Sequence, residues 1–251
     1  MLKVVNNWTE AINQVVNMDC FNLFPLLPDK SIDMILCDLP YGTTACKWDT
    51  IIPFEPLWEQ YKRIIKDNGA IVLTASQPFT SALVMSNIKM FKYEWVWEKS
   101  KATGYLNCKK RPMVAHENIL IFGKGKLKYN PQKTAGRPYN KGKAHRPTGV
   151  YGKQIPVLVK NDVGARFPRT VQYFITAESE GKFHPTQKPV ALFEYLIKTY
   201  TNEEDLVLDN CAGSFTTSVA CNNLKRRWVC IEKEEEYCRV GENRLRQQNL
   251  F

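Results

Sequence analysis

The chain has 251 residues, of which 44% are apolar and 12% aromatic, so it can form a sizeable core and is neither disordered nor collagen-like. Its 35 Lys and Arg outnumber its 25 Asp and Glu, and the net charge of +10 favours a polyanionic partner. No apolar run approaches the roughly 18 residues of a membrane span, and residues 1–7 lack the apolar stretch of a secretory signal. We therefore expect a cytoplasmic protein that does not bind a membrane.

Apolar runs and helical spacings alternate along the first part of the chain. A buried strand is predicted at 32–37, where an apolar run follows a Pro-Asp-Lys turn. Pro56 opens a predicted helix that Asp67-Asn68-Gly69 ends, and a second strand follows at 70–74. Two more strands are predicted, at 91–97 and 118–122.

The excess of basic residues is confined to one stretch. Residues 99–169 contain 17 basic and two acidic side chains, whereas the rest of the chain has 18 basic and 23 acidic ones. From 123 to 152 this stretch is rich in Gly, Pro, Lys and Asn and shows little periodicity, so a disordered insertion is one interpretation. Because Tyr129, Tyr139 and Tyr151 alternate with Lys and Arg, we expect instead a segment that binds nucleic acid.

The alternation resumes after the basic stretch. The predicted elements are a helix from Pro189, a strand at 205–209, a helix at 214–223, a strand at 227–231 and a final helix from Glu234. Strands and helices that alternate on this scale predict an α/β fold, in which helices cover both faces of one sheet.

The eight cysteines form no C-x-x-C pair, and several lie within predicted strands. Metal sites usually show closely spaced ligand pairs. We therefore expect reduced, mostly buried thiols and no metal cofactor.

A short polar motif, Asp38-Leu39-Pro40-Tyr41-Gly42, directly follows the first predicted strand. In doubly wound sheets, ligands bind at the carboxyl ends of strands. The Asp38 carboxylate and the Leu39 carbonyl could accept hydrogen bonds from an exocyclic amine, while Tyr41 stacks on the base. The same residue types also suit a simple turn at the end of a strand.

A second motif, VLDNCAGSFTT at 207–217, predicts a strand, a turn of small residues and a helix. This arrangement brings backbone N–H groups close to a cofactor. Glu232, which lies 23 residues after Asp209, ends the next predicted strand at the spacing of an acid that binds ribose hydroxyls. A generic strand, turn and helix is the alternative interpretation.

A third motif, HPTQKP at 184–189, is made rigid by its two prolines. Lys188 or the exposed N–H groups of the motif could hold a carboxylate. His184 is expected in an exposed loop rather than on a metal, because the chain has only three histidines to supply co-ligands.

These three motifs resemble those of the DNA amino-methyltransferases, and they occur in the order of the circularly permuted β class of that family. The resemblance covers nearly the whole chain. It implies a Rossmann-like fold with a mixed seven-stranded sheet, one reversed strand and helices on both faces. It also implies S-adenosylmethionine as the methyl donor, double-stranded DNA as the substrate, and an origin among orphan phage or mobile-element enzymes.

The resemblance also implies how the chain is divided and which residues act. Residues 1–98 would form the catalytic half of the core, 99–183 a basic target-recognition insertion, and 184–251 the cofactor-binding half. The target-base site would be formed by Asp38, Leu39, Pro40 and Tyr41. The cofactor would contact Asp19, Asp38, Thr186, Lys188, Asp209, Ala212, Gly213, Ser214 and Glu232. DNA phosphates are expected to bind Lys109, Lys110, Arg111, Lys124, Lys126, Lys128, Arg137, Lys141, Lys143 and Arg146.

The chain departs from the family pattern at two places. The usual D-P-P-Y is D-L-P-Y here, which we expect to be tolerated because the second position contributes mainly its backbone carbonyl. In the cofactor turn, usually D-P-F-x-G-S-G, Cys211 replaces an aromatic residue and Phe215 replaces a glycine. If that glycine serves close helix–strand packing, the Phe215 side chain must point elsewhere.

By resemblance, Asp rather than Ser at position 38 favours N6 of adenine over N4 of cytosine. The expected reaction is therefore methyl transfer to an adenine that has been flipped out of duplex DNA. Three alternatives remain open at this point: a cytosine-N4 enzyme, an RNA or protein amino-methyltransferase, and a catalytically inactive DNA-binding descendant.

Overall fold

The structure is a computed structural model that describes residues 5–144, 157–181, 183–184 and 186–248. Two compact units divide these residues, one within 1–130 and 170–251 and the other within 131–169. The second unit is narrower than the predicted insertion at 99–183, because both flanks of that range contribute strands to the main sheet. Arg146 and Tyr151 lie outside the described residues.

The described residues contain ten strands: β1 (Val15–Asn17), β2 (Ile32–Cys37), β3 (Ile65–Ala75), β4 (Phe91–Thr103), β5 (Val114–Phe122), β6 (Tyr139–Ala144), β7 (Val157–Asn161), β8 (Val171–Phe174), β9 (Leu206–Asp209) and β10 (Arg227–Glu232). Eight of them form one mixed sheet in the order β1-β10-β9-β2-β3-β5-β4-β8. Strand β5 is antiparallel to both of its neighbours, while the other pairs are parallel. The single reversed strand agrees with the resemblance, but the edge strand β8 raises the number of strands from the expected seven to eight.

The described residues also form six α-helices: α1 (Cys20–Leu23), α2 (Phe54–Ile64), α3 (Phe79–Ser86), α4 (Val190–Tyr200), α5 (Thr216–Asn223) and α6 (Glu235–Gln248). They cover both faces of the sheet, because successive side chains of β2 enter two separate cores. Ile35 packs in the core with α2 and α3, whereas Met34 packs in the core with α4 and α5. Among the described helices, none is long and apolar enough to cross a membrane.

Strand β3 begins earlier than its sequence indicates. The predicted turn at Asp67-Asn68-Gly69 lies within this strand, and the helix before it has already ended at Ile64. The predicted turn is therefore wrong. Between the pairs Ile32–Ile65 and Met34–Ala70, β3 contains the extra residues of a bulge. Gly69 permits this close approach, since a Cβ there would lie 2.7 Å from the carbonyl oxygen of Asp33.

The smaller unit contains an antiparallel pair, β6 with β7, in which Tyr139 faces Asn161. A separate bridge joins Thr134 to Arg166, and the Arg166 guanidinium lies 4.7 Å from the centre of the Tyr139 ring. The periodicity of the sequence does not predict β6, because Tyr-Asn-Lys-Gly-Lys-Ala has no apolar alternation and the strand depends on backbone pairing instead.

Candidate active site

The two polar motifs on strands meet at the middle of the main sheet. Strand β2, which Asp38 follows, pairs in parallel with β9, which ends at Asp209. From β2 the sheet continues to β3 on one side, whereas from β9 it continues to β10 on the other. The chain order therefore reverses between β2 and β9, and a crevice at the carboxyl ends of such strands is a favoured ligand site.

A cavity of about 1730 Å³ opens at this edge of the sheet. All twelve predicted catalytic and cofactor-binding residues line it. Typical small-molecule sites have volumes of about 300–1,000 Å³, so the cavity has room for a cofactor beside a nucleobase. No cluster of three potential metal-binding side chains occurs in the part of the chain that the structure describes.

The Asp38 carboxylate accepts three hydrogen bonds within this cavity. The Tyr41 hydroxyl donates to Oδ1 over 2.7 Å, and the Thr74 hydroxyl donates to the same oxygen. The Lys188 ammonium donates to Oδ2 over 2.5 Å. A carboxylate offers about four lone-pair positions, so these donors leave room for one further donor such as an amine.

Lys188 is the centre of a buried row of alternating charges. Its side chain is only 6% exposed, and its Nζ atom also lies 3.4 Å from Oε2 of Glu117. The other carboxylate oxygen of Glu117 forms an ion pair of 2.5 Å with Lys99. Burial opposes the charge on Lys188, but Asp38 and Glu117 outweigh it and raise the pKa of the ammonium group. Lys188 is therefore a cation beside Asp38.

Thr74 and Glu117 were not predicted as site residues. Thr74 is the last residue of the predicted strand at 70–74, and Glu117 directly precedes the predicted strand at 118–122, so each is a polar residue at the carboxyl or amino end of an apolar run. That position is the only sequence signal for them. The predicted contact between Lys188 and a cofactor carboxylate remains a prediction, since the structure places the ammonium on Asp38.

The Tyr41 ring is held from behind by Phe79. The two rings stack with centroids 5.1 Å apart and an angle of 24° between their planes. Burial raises the pKa of the Tyr41 phenol well above its usual value, and the charge of Asp38 acts in the same direction. The phenol therefore stays protonated and continues to donate to Asp38, while Phe79 fixes the plane of the ring.

The cofactor turn is fastened by two carboxylates, that of the buried Asp209 and that of the half-buried Glu232. Asp209 accepts a hydrogen bond from the backbone N–H of Cys211 over 3.1 Å and another from the Thr217 hydroxyl. Burial raises the pKa of Asp209 to about 7, although these hydrogen bonds act against the shift. Glu232 accepts the backbone N–H of Gly213 over 2.8 Å, and burial raises its pKa as well. Both acids therefore shape the turn that they border.

Phe215 lies at the end of this turn with a φ of +60°, a region that usually favours glycine. Its ring is fully buried and does not line the cavity. Instead it packs against Gly241 of α6, where an added Cβ would lie only 2.3 Å from Cδ2 of the ring. The Phe215 side chain thus points away from the cavity, as expected if the glycine of the family pattern serves close helix–strand packing.

Two residues outside the three motifs support the site: Arg244, which was not predicted, and Asp19, which was. The buried guanidinium of Arg244 donates to the Ser214 carbonyl over 2.7 Å and to the Thr216 hydroxyl over 3.1 Å, which ties α6 to the cofactor turn. Asp19 caps α1 by accepting the backbone N–H of Phe21 over 2.9 Å, and it lines the cavity beside the turn.

His184 is half-buried rather than exposed, so the prediction of an exposed loop was wrong for this residue. Its ring centroid lies 5.0 Å from Trp48 and 4.2 Å from Tyr237. Its Cδ2 atom lies 3.6 Å from the point where a Cβ on Gly213 would stand. Burial lowers the pKa of His184 to about 4; the charge of Asp38 opposes this shift, and Lys188 adds to it. A neutral imidazole therefore stands over the cofactor turn at neutral pH.

The predicted DNA-binding residues fall into two groups. Most of the described ones are exposed: Lys109, Lys110, Arg111, Lys124, Lys126, Arg137, Lys141 and Lys143. Lys128 instead forms ion pairs with Asp205 and, over 3.7 Å, with Asp33. Lys124, although exposed, also donates to the carbonyl oxygen of Ile65 over 3.2 Å. Lys128 is thus paired with acids of the protein itself rather than available for a phosphate. The phosphate contacts of the exposed residues remain a prediction.

The sequence profile of the N6/N4 DNA methylase family matches residues 32–243 of this chain, a range that includes all three motifs. The chain belongs to this DNA methylase family. The DNA adenine methyltransferase YhdJ of Escherichia coli is 30% identical to this DNA methylase over 249 residues, which cover 92% of the chain and 82% of YhdJ.

Solved structures show the same architecture. The structure of the M1.HpyAVI–SAM complex is 26% identical and has a TM-score of 0.62, covering 92% of this DNA methylase and 98% of that chain. The PvuII DNA methyltransferase, which is specific for cytosine N4, has a TM-score of 0.67 at 17% identity and covers 92% of this chain and 85% of its own. The second likeness concerns the fold alone.

Proposed function

We propose that this DNA methylase transfers a methyl group from S-adenosylmethionine to N6 of an adenine that has been flipped out of duplex DNA. The observation that carries the proposal is the position of Asp38. Its carboxylate lies at the reversal point of the sheet, holds three donors, and shares one cavity with the acids of the cofactor turn.

The chemistry of the amine explains this arrangement. An exocyclic amine of a base is a poor nucleophile, because its lone pair is delocalised into the ring. The Asp38 carboxylate and the Leu39 carbonyl would accept hydrogen bonds from its two N–H groups and so localise the lone pair on nitrogen. Catalysis then depends on positioning and electrostatics rather than on a covalent enzyme intermediate.

The amine is out of reach within a duplex, so the base has to leave the stack. The Tyr41 ring, fixed from behind by Phe79, offers a surface on which the extruded base can stack. Stacking on an aromatic side chain contributes about 1–3 kcal/mol per base and so offsets part of the cost of unstacking.

The cavity residues fit the proposed cofactor. Carboxylates at the carboxyl ends of β9 and β10 suit the amine and hydroxyl groups of S-adenosylmethionine, and the Phe215 ring does not fill the cavity at the turn because it points into the protein. Glu232 would hold the ribose, with Asp19 beside the adenine and Asp209 and Thr186 near the amino-acid end. When bound, S-adenosylmethionine supplies an electrophilic methyl group.

Adenine is preferred over cytosine on two grounds. By resemblance, Asp at position 38 favours adenine, and YhdJ, which is named as an adenine methyltransferase, is 30% identical over most of the chain. Cytosine N4 is the second candidate, because the same pair of acceptors would hold its amine and the PvuII enzyme has the same fold.

We also place the chain in the circularly permuted β class, since the strand that carries Asp38 precedes the cofactor strands β9 and β10. An origin in a phage or mobile element remains a prediction.

The test is to express the protein in a host that lacks DNA methylation and to map modified bases across its genome. We expect N6-methyladenine at one sequence with the wild type and with Glu59→Ala, an exposed-carboxylate control. Asp38→Ala should bind duplex DNA but leave no mark. N4-methylcytosine would establish the alternative, and a wild type that binds DNA without marking it would indicate an inactive descendant.

A further inference from the structure

Strands β4 and β5 form a hairpin whose tip, residues 104–113, exposes large apolar side chains. Leu106 is 97% exposed and Tyr105 is 74% exposed. No other large apolar side chain in the described part of the chain is more exposed than Leu106. Exposed apolar residues that lie together, with charged residues around them, mark interaction sites.

Backbone hydrogen bonds hold this tip in one conformation. Gly104, with a φ of +88°, begins a helical turn at Tyr105–Asn107. The N–H of Asn107 donates to the Gly104 carbonyl over 3.0 Å, and the N–H of Arg111 donates to the Asn107 carbonyl over 3.0 Å. The turn therefore presents Tyr105 and Leu106 to solvent on a fixed support.

The charge of the tip identifies its partner. Residues 104–113 contain three basic side chains and no acidic one. The basic residues Lys109, Lys110 and Arg111 are all exposed. An apolar projection surrounded by cations favours a partner that is a polyanion with an apolar interior. Duplex DNA is such a partner, because its stacked bases lie between its phosphates.

The position of the hairpin connects it to the reaction. Thr103, Arg111 and Val114 line the same cavity as Asp38. The tip therefore lies beside the opening through which an extruded base would enter. When a base leaves the duplex, its neighbours lose a stacking partner, and an apolar side chain inserted into the stack can fill the space.

We propose that Leu106 is an intercalating residue that enters the base stack at the target site and stabilises the extruded state. This inference rests on the proposed function. Leu106 has no part in holding the amine or the cofactor, so its contribution is confined to the step that removes the base from the duplex.

The test compares single-turnover methylation of two duplex oligonucleotides that carry the mapped site. One is fully paired, and the other has an abasic nucleotide opposite the target base. Leu106→Ala should slow methylation of the paired duplex by about tenfold or more, because unstacking costs a few kcal/mol. On the abasic duplex the variant should be within about twofold of the wild type, because an unpaired base is easier to extrude.

Leu106→Met should keep the wild-type rate on the paired duplex, since it retains an apolar side chain. Met85→Ala is the control: Met85 is 70% exposed on α3 and does not line the cavity, so its loss should change neither rate. A Leu106→Ala variant that equals the wild type on the paired duplex, or that loses activity equally on both duplexes, would overturn the inference. A wild type that methylates neither duplex would overturn the proposed function itself.

Discussion

The ring of Phe215 fills the space that a side chain on Gly241 would otherwise occupy. A non-glycine residue at positive φ costs about 1–2 kcal/mol. Burial of a phenylalanine ring contributes about 1.5–3 kcal/mol, which offsets that strain. The glycine of α6 thus allows the cofactor turn to carry Phe215 at its end without closing the cavity.

Gly241→Ala should therefore destabilise the protein. A Cβ at this position overlaps the Phe215 ring, and overpacking of a core costs about 1–3 kcal/mol, whereas alanine in a free helix position would add about 0.5–1 kcal/mol of stability. Urea denaturation should show a lower free energy of unfolding. In a Phe215→Ala background the same change should cost less, because the ring is gone. An increase in stability for Gly241→Ala alone would contradict the packing described.

Lys188→Met should abolish most of the methylation activity. The ammonium lies 2.5 Å from Asp38 and 3.4 Å from Glu117, so its loss leaves two carboxylates near each other without the charge between them. Removal of such an electrostatic contact typically costs about 10²–10³-fold in rate.

Single-turnover rates and the dissociation constant for S-adenosylmethionine separate two roles of Lys188. A loss of rate at unchanged cofactor affinity would support the contact with Asp38. A loss of affinity at unchanged rate would support the cofactor role that the resemblance implies. Lys62→Met, which removes an exposed lysine of α2, should change neither quantity.

The stability of the protein should fall in acid partly because of His184. Its pKa is lowered from 6.5 to about 4 in the folded state, mainly by burial. As the pH falls from about 6.5 to 4, the unfolded chain binds a proton at this site before the folded protein does, so folding becomes less favourable. His184→Phe should lose less stability over that interval in chemical denaturation. Parallel curves for variant and wild type would contradict this prediction.

Asp209 should produce the opposite dependence. Burial raises the pKa of Asp209 from 3.8 to about 7. The contribution of this group to the stability of the folded protein is therefore complete below its pKa in the unfolded chain and is lost as the pH rises towards 7. The wild type should therefore lose stability relative to Asp209→Asn between about pH 4 and pH 7. Denaturation midpoints of the two proteins at several pH values measure this difference, and a constant difference would disprove it.

The exposed lysines of the hairpin should govern the salt dependence of DNA binding. Each phosphate contact that is lost should reduce the slope of log K against log salt by about 0.9. We expect that reduction for Lys109→Gln and Lys110→Gln in a fluorescence anisotropy titration. Lys128→Gln should leave the slope unchanged and lower stability instead, because Lys128 is paired with Asp205 and Asp33. An equal slope for all three variants would contradict the assignment.

The sequence determined those features that depend on local patterns. Strand β2 follows directly from the apolar run at 32–37, and its observed bounds, Ile32–Cys37, are the predicted ones. Helix α4 begins directly after Pro189, as predicted, because a proline there needs no N–H partner. The three motifs were sufficient to predict that Asp38, Asp209 and Lys188 lie in one site, and all three line the same cavity.

Only the tertiary structure decided which groups contact one another. The ion pair between Asp38 and Lys188 joins residues that lie 150 positions apart in the sequence. Glu117 reaches the site from β5, and the sequence of that strand does not by itself predict the contact of Glu117 with Lys188. Strand β8 pairs at the edge of the sheet without a strong apolar pattern, so its sequence alone did not predict it. Local periodicity reports which side of an element is buried, whereas the neighbours of each strand and the partners of each buried charge depend on how the whole chain packs.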